Sequence, residues 1–154
     1  MRASLPNIEQ EISIFWFRRD LRLDDNIALH AALEQNLPVL CIFIFDDNIL
    51  SELPSSDPRV NFIYDELNKI NKKLAQWQSS LLVLKGSPIK CWIRLLSNFR
   101  VKTVFVNEDY EPYGIARDLE IKKLLTKEKI SFFSHQDTVI HHPNVIVKND
   151  STPY

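Results

Sequence analysis

Apolar residues fall in two rhythms along the chain. Short, nearly unbroken runs rich in β-branched and aromatic side chains predict strands over about 12–17, 39–45, 81–85, 103–107 and 130–134. Their continuous apolarity predicts burial on both faces. Between them the spacing changes to three and four: Val60, Ile63, Leu67, Ile70, Leu74 and Trp77 mark one side of a helix over 59–77. A shorter helix over 27–34 is expected to be capped by Asp24 or Asp25. Ser87 and Pro88 read as N-cap and first residue of a third helix, and Pro112 opens a fourth that runs to about Lys127. Trp16, Trp77 and Trp92 all fall on faces predicted to be buried. The alternation predicts an α/β fold: a Rossmann-like, doubly wound, five-stranded parallel sheet with helices on both faces and right-handed crossovers.

Composition narrows the function classes. A chain of 154 residues, 45% hydrophobic and 25% charged, suffices for one domain with a core. Its two glycines, Gly86 and Gly114, cannot make the three-glycine dinucleotide fingerprint or a phosphate-cradling P-loop. The net charge of -1 supplies no overall field to draw in nucleic acid or an anionic membrane. Cys41 and Cys91 sit in separate apolar runs and read as buried thiols of a reducing compartment. No apolar leader opens the sequence, and the longest apolar run, 39–45, is too short to span a bilayer. A cytoplasmic chain with no membrane partner is expected. The organisation expected is an N-terminal extension over 1–11, the α/β domain over 12–137, and the start of a linker over 138–154, where no closing helix can be drawn.

Candidate chemistry concentrates after the strands. A long loop over 46–58, rich in Asp, Ser and Pro, leaves the carboxyl end of the second strand, where open parallel sheets bind ligands. Arg18, Arg19, Asp20, Arg22, Asp24 and Asp25 follow the first strand and can form a salt-bridged corner or an anion site. Glu108, Asp109 and Glu111 follow the fourth, and helix capping accounts for one acid, not three. In a doubly wound sheet Arg19 should approach Asp109 and Glu111 across one crevice. His141 and His142 are adjacent, point apart and read as an exposed loop; Lys122, Lys123, Lys127 and Lys129 complement a helix dipole. With no G-x-S-x-G elbow either, no catalytic residue and no metal ligand is assigned.

These residues carry a resemblance. Phe15 through Asn26, followed by Ala28 and Leu29, resembles the W-F-R-R-D-L-R-x-x-D-N-x-A-L signature of the DNA photolyase/cryptochrome family. Phe43-Ile44-Phe45-Asp46, Arg59-Val60 with Phe62, and 107–113 with Arg117-Asp118 follow in the family's order. The resemblance implies the N-terminal α/β domain of a deoxyribodipyrimidine photolyase, which carries a light-harvesting antenna chromophore. FAD, and damaged DNA as a partner, would belong to a separate C-terminal helical domain, toward which Thr152-Pro153-Tyr154 leads. By itself this chain is then expected to be inactive in repair, with apolar surface exposed and prone to self-association. Family members that hold folate often carry glutamate after the position of Tyr113, whereas this chain has Gly114, so the resemblance favours a deazaflavin or flavin. Its contacts, carried over by position, are Arg19, Phe43, Asp46, Arg59, Asp109 and Glu111. Two alternatives stand beside it: the same domain of a cryptochrome, acting as a signalling module, and a generic α/β nucleotide-binding module.

Overall fold

A computed structural model of the chain describes residues 8–137 and Val139. Five parallel strands, β1 (Ile8–Phe17), β2 (Val39–Asp46), β3 (Leu81–Gly86), β4 (Phe99–Asn107) and β5 (Ser131–His135), form one sheet in the order β3-β2-β1-β4-β5. Helices α1 (Ile27–Leu33), α3 (Pro58–Ala75), α4 (Pro88–Leu96) and α5 (Pro112–Lys127) connect them, and a single turn, α2 (Asp47–Leu50), precedes α3. The sheet is the predicted doubly wound α/β architecture. Alternation along the strands feeds two cores. Ile14, Trp16, Ile42 and Val104 pack under α4 and α5, while Phe15, Phe17, Cys41 and Phe105 pack under α1 and α3. The central strands are buried on both faces as expected; the edge strands are not, leaving Val83 and Phe133 exposed. Cys41 and Cys91 are buried free thiols, and burial pushes the Cys41 thiol up to about 12.

Element starts differ from expectation for identifiable reasons. β1 begins at Ile8, so the last residues of the predicted 1–11 extension belong to the sheet, entering through an irregular register against β4. Helix α1 is capped by Asn26, whose side chain accepts from the Leu29 N–H, and not by Asp24 or Asp25. Asp25 instead takes a left-handed turn at φ 53°, its carbonyl held by the Arg22 guanidinium, which leaves the cap to Asn26 while the helix itself begins at Ile27 as expected. Trp77 is a further correction: it is 66% exposed. Helix α3 ends at Ala75 and the chain turns at Gln78 with φ 55°, so Trp77 leaves the helical periodicity that places Leu67, Ile70 and Leu74 in the core. Ser87 occupies the N-cap of α4 without making a side-chain capping bond. The proposed 138–154 linker and the His141–His142 pair lie outside the described residues, Val139 apart.

Candidate functional site

Connections leave β1 toward β2 on one side, while β4 lies on the other. That reversal opens a crevice at the carboxyl ends of β1, β2 and β4. A cleft of about 320 Å3 occupies it, and all six residues singled out from sequence line its walls: Arg19, Phe43, Asp46, Arg59, Asp109 and Glu111. Apolar surface comes from Trp16, Phe43 and Phe45 on the strand ends and from Ile49, Leu50 and Leu53 in and after α2. The loop over 46–58 thus supplies a wall.

The rim is polar and tightly bonded. The Asp46 carboxylate caps α2 by accepting from the Asn48 N–H and also accepts the Tyr113 hydroxyl, which joins α2 to the start of α5 across the cleft. Burial and this bond raise the Tyr113 pKa, keeping the phenol a donor. Arg59, mostly exposed at the mouth, makes two parallel bonds to Asp57 at 2.9 and 2.7 Å. Those bonds and the Arg59 backbone N–H lower the Asp57 pKa from 3.8 to about 2. Arg19 pairs with Glu111 at 2.5 Å, both side chains about two-thirds exposed.

Beneath that pair lies a buried ionic cluster. Asp118 accepts from Arg18 and, at 3.1 and 3.0 Å, from Arg117, which also reaches Asp109 at 3.2 Å. Both guanidiniums lie over the Trp16 ring, at 5.3 and 5.1 Å from its centroid, and Trp92 meets that ring edge-on. Burial lowers the Arg18 pKa against the Asp118 charge that raises it. Gly114 is what admits Asp109 to this cluster. A Cβ at position 114 would lie 2.3 Å from the Asp109 Cγ and 2.4 Å from its Oδ2, so only glycine lets that carboxylate cross the first turn of α5. A second network fixes the turn after β1: Asp20 accepts from Asn26 and Asn107, and Asn107 accepts from the Ala28 N–H. The consecutive arginines are therefore anchored to β4 and α1 through a buried Asp and two Asn.

Tyr113 and Arg117 are cleft residues beyond the six expected, and their i, i+4 spacing at the start of α5 puts them on one face. Trp16, expected as core, is 2% exposed yet forms part of the cleft floor. A cavity of about 330 Å3 adjoins the cleft, lined by Asp20, Asn107, Glu108 and Tyr110 and sharing Arg18, Arg19, Asp109 and Glu111 with it. Among the described residues no group of three or more His, Cys, Asp or Glu could hold a metal ion.

Comparison with known proteins gives the family. The family model described as DNA photolyase matches residues 13–154. A deoxyribodipyrimidine photo-lyase of Synechococcus is 33% identical over 141 residues, covering 92% of this chain and 29% of its own length. Cryptochrome-2 of Gallus gallus is 31% identical over 142 residues, covering 92% of this chain and 24% of its own. An archaeal photolyase from Sulfolobus tokodaii, solved with two FAD molecules and described as implying a novel light-harvesting cofactor, superposes with a TM-score of 0.78 at 31% identity. That match covers 90% of this chain and 32% of the other. This chain therefore spans under a third of each of these proteins, in the α/β part they share with it, and it belongs to the DNA photolyase family.

Proposed function

We propose that the cleft binds an antenna chromophore of the flavin or deazaflavin type, in preference to a folate. One observation carries the reading: an apolar slot at the switch point of the sheet is rimmed by donors and acceptors that the fold holds in place. Trp16, Phe43 and Phe45 offer apolar surface to a flat ring. Asp109 and Glu111 offer acceptors for a ring N–H, and Arg19 and Arg59 offer donors for ring carbonyl oxygens. Asp46 acts by capping α2 and holding Tyr113, which sets the width of the slot. Such a group, when bound, supplies light absorption and excitation transfer, and the protein supplies rigid placement and exclusion of water. No general base or nucleophile is required, in keeping with a site built from ion pairs already satisfied within the protein.

The acceptor of the excitation belongs to the same proposal: FAD in a helical domain of the longer relatives, through which damaged DNA would be met. The 154-residue chain alone is then expected to show no light-dependent repair of thymine dimers, and measurable turnover would refute that part. Relatives bear both names, photolyase and cryptochrome, and the proposed cleft precedes either output. Fluorescence titration of the purified chain with riboflavin, FMN, a 5-deazaflavin and a reduced folate tests the binding claim directly. The flavin-type ligands are expected to bind more tightly; tighter folate binding would overturn it.

A further inference from the structure

The two adjoining cavities differ in chemistry, and of the four residues they share, Arg18, Arg19, Asp109 and Glu111, one pair is exposed. Arg19 and Glu111 line both spaces, and their side chains are 64% and 65% exposed, so water screens the attraction that keeps them together. On one side lie Trp16, Phe43 and Phe45. On the other lie Asp20, Asn107, Glu108 and Tyr110, with no aliphatic or other aromatic side chain. Four carboxylates there face two guanidiniums, Arg18 and Arg19. The Arg18 side chain is only 5% exposed, and its Nη2 has no hydrogen-bond partner while its Nη1 is taken by Asp118. A buried guanidinium N–H left unbonded costs free energy that a ligand acceptor would recover.

We infer that the second cavity is the seat of an uncharged, polyhydroxylated side chain borne by the ring in the cleft, passing where Arg19 and Glu111 part. This rests on the chromophore reading and deepens it by fixing which end of the ligand goes where and what charge it carries. Hydroxyl groups suit the space in both directions: their O–H groups donate to carboxylate oxygens, and their oxygens accept from Arg18 Nη2. A phosphate brings only acceptors and close to two negative charges into a cavity where carboxylates outnumber cations. The Asp20–Asn26–Asn107 network keeps the cavity wall in place without a ligand, so the tail meets a preformed surface.

Titration of the chain with lumichrome, riboflavin and FMN separates the parts of the ligand. Lumichrome is the ring alone, riboflavin adds the ribityl chain, and FMN adds the phosphate. Riboflavin is expected to bind at least about tenfold more tightly than lumichrome, and FMN no more tightly than riboflavin, a tenfold step being the loss of roughly one good hydrogen-bonding contribution. Equal affinity for lumichrome and riboflavin would overturn this inference and leave the cleft reading standing; no binding of any of the three would overturn both. FMN tighter than riboflavin would place the tail toward Arg59 at the mouth and contradict the assignment. E108Q removes one carboxylate from the second cavity and is expected to raise FMN relative to riboflavin. An unchanged ratio would also count against it.

Discussion

At the amino end of β1 and β4, Glu11 faces Arg100 at 3.8 Å and Lys102 at 4.0 Å, and the three side chains are 44%, 67% and 60% exposed. At the carboxyl end of the same two strands, Arg18, Asp109, Arg117 and Asp118 hold one another with side chains 5–15% exposed. The first arrangement is solvated and weak. The second is desolvated, and taking four charges out of water gives the fold no advantage over apolar packing of the same volume. Since the sheet manages without buried charge at one end, its presence at the other points to what that end does. Arg18 and Arg117 fix the Trp16 floor, and Arg117 fixes Asp109. The difference separates charges that merely solubilise from charges that shape a site.

Breaking the carboxyl end should have the largest effect. D118N leaves two buried guanidiniums without their shared carboxylate and is expected to destabilise the chain by about 3–5 kcal/mol, read from urea unfolding. G114A comes next: the new Cβ displaces Asp109 from Arg117, at about 1–3 kcal/mol, and binding of a flavin should weaken along with stability. Retention of full affinity in G114A would show that Asp109 has no part in the cleft. At the mouth, the Asp57 pKa lies below its unfolded value, so its pairing with Arg59 stabilises the fold above about pH 4 and loses that contribution as pH falls through about 2. D57N should accordingly flatten the acid limb of the stability profile while leaving its dependence near neutrality unchanged. The smallest effect is expected at the amino end, where E11A should change stability by less than about 0.5 kcal/mol. A larger loss there would erase the contrast between the two ends.

Strands and core were legible because a parallel sheet buried on both faces writes itself as unbroken apolar runs. The crevice was legible too, since β-α alternation with acids and arginines after β1 and β4 puts those turns side by side. Other features depended on contacts far apart in sequence. Asn26 takes the cap because Asp20 and Asn107 hold its side chain in place and Asp25 is turned away in a left-handed conformation. Trp77 follows the helical spacing on paper but lies beyond the end of α3. Tyr113 became a cleft residue through a bond to Asp46, 67 positions away. Nor does composition disclose that Gly114 is required by the carboxylate of Asp109; that follows from the place of one Cβ.

The central claim, that the cleft between β1, β2 and β4 holds a flavin-type ring, is tested most directly by amide NMR shifts on adding riboflavin to the chain. The account predicts the largest changes at Trp16, Phe43, Tyr113 and Gly114, with the Glu11–Arg100 end undisturbed. Changes centred on the groove beside α1, at Leu23, His30 and Leu33, or none at saturating ligand, would contradict it.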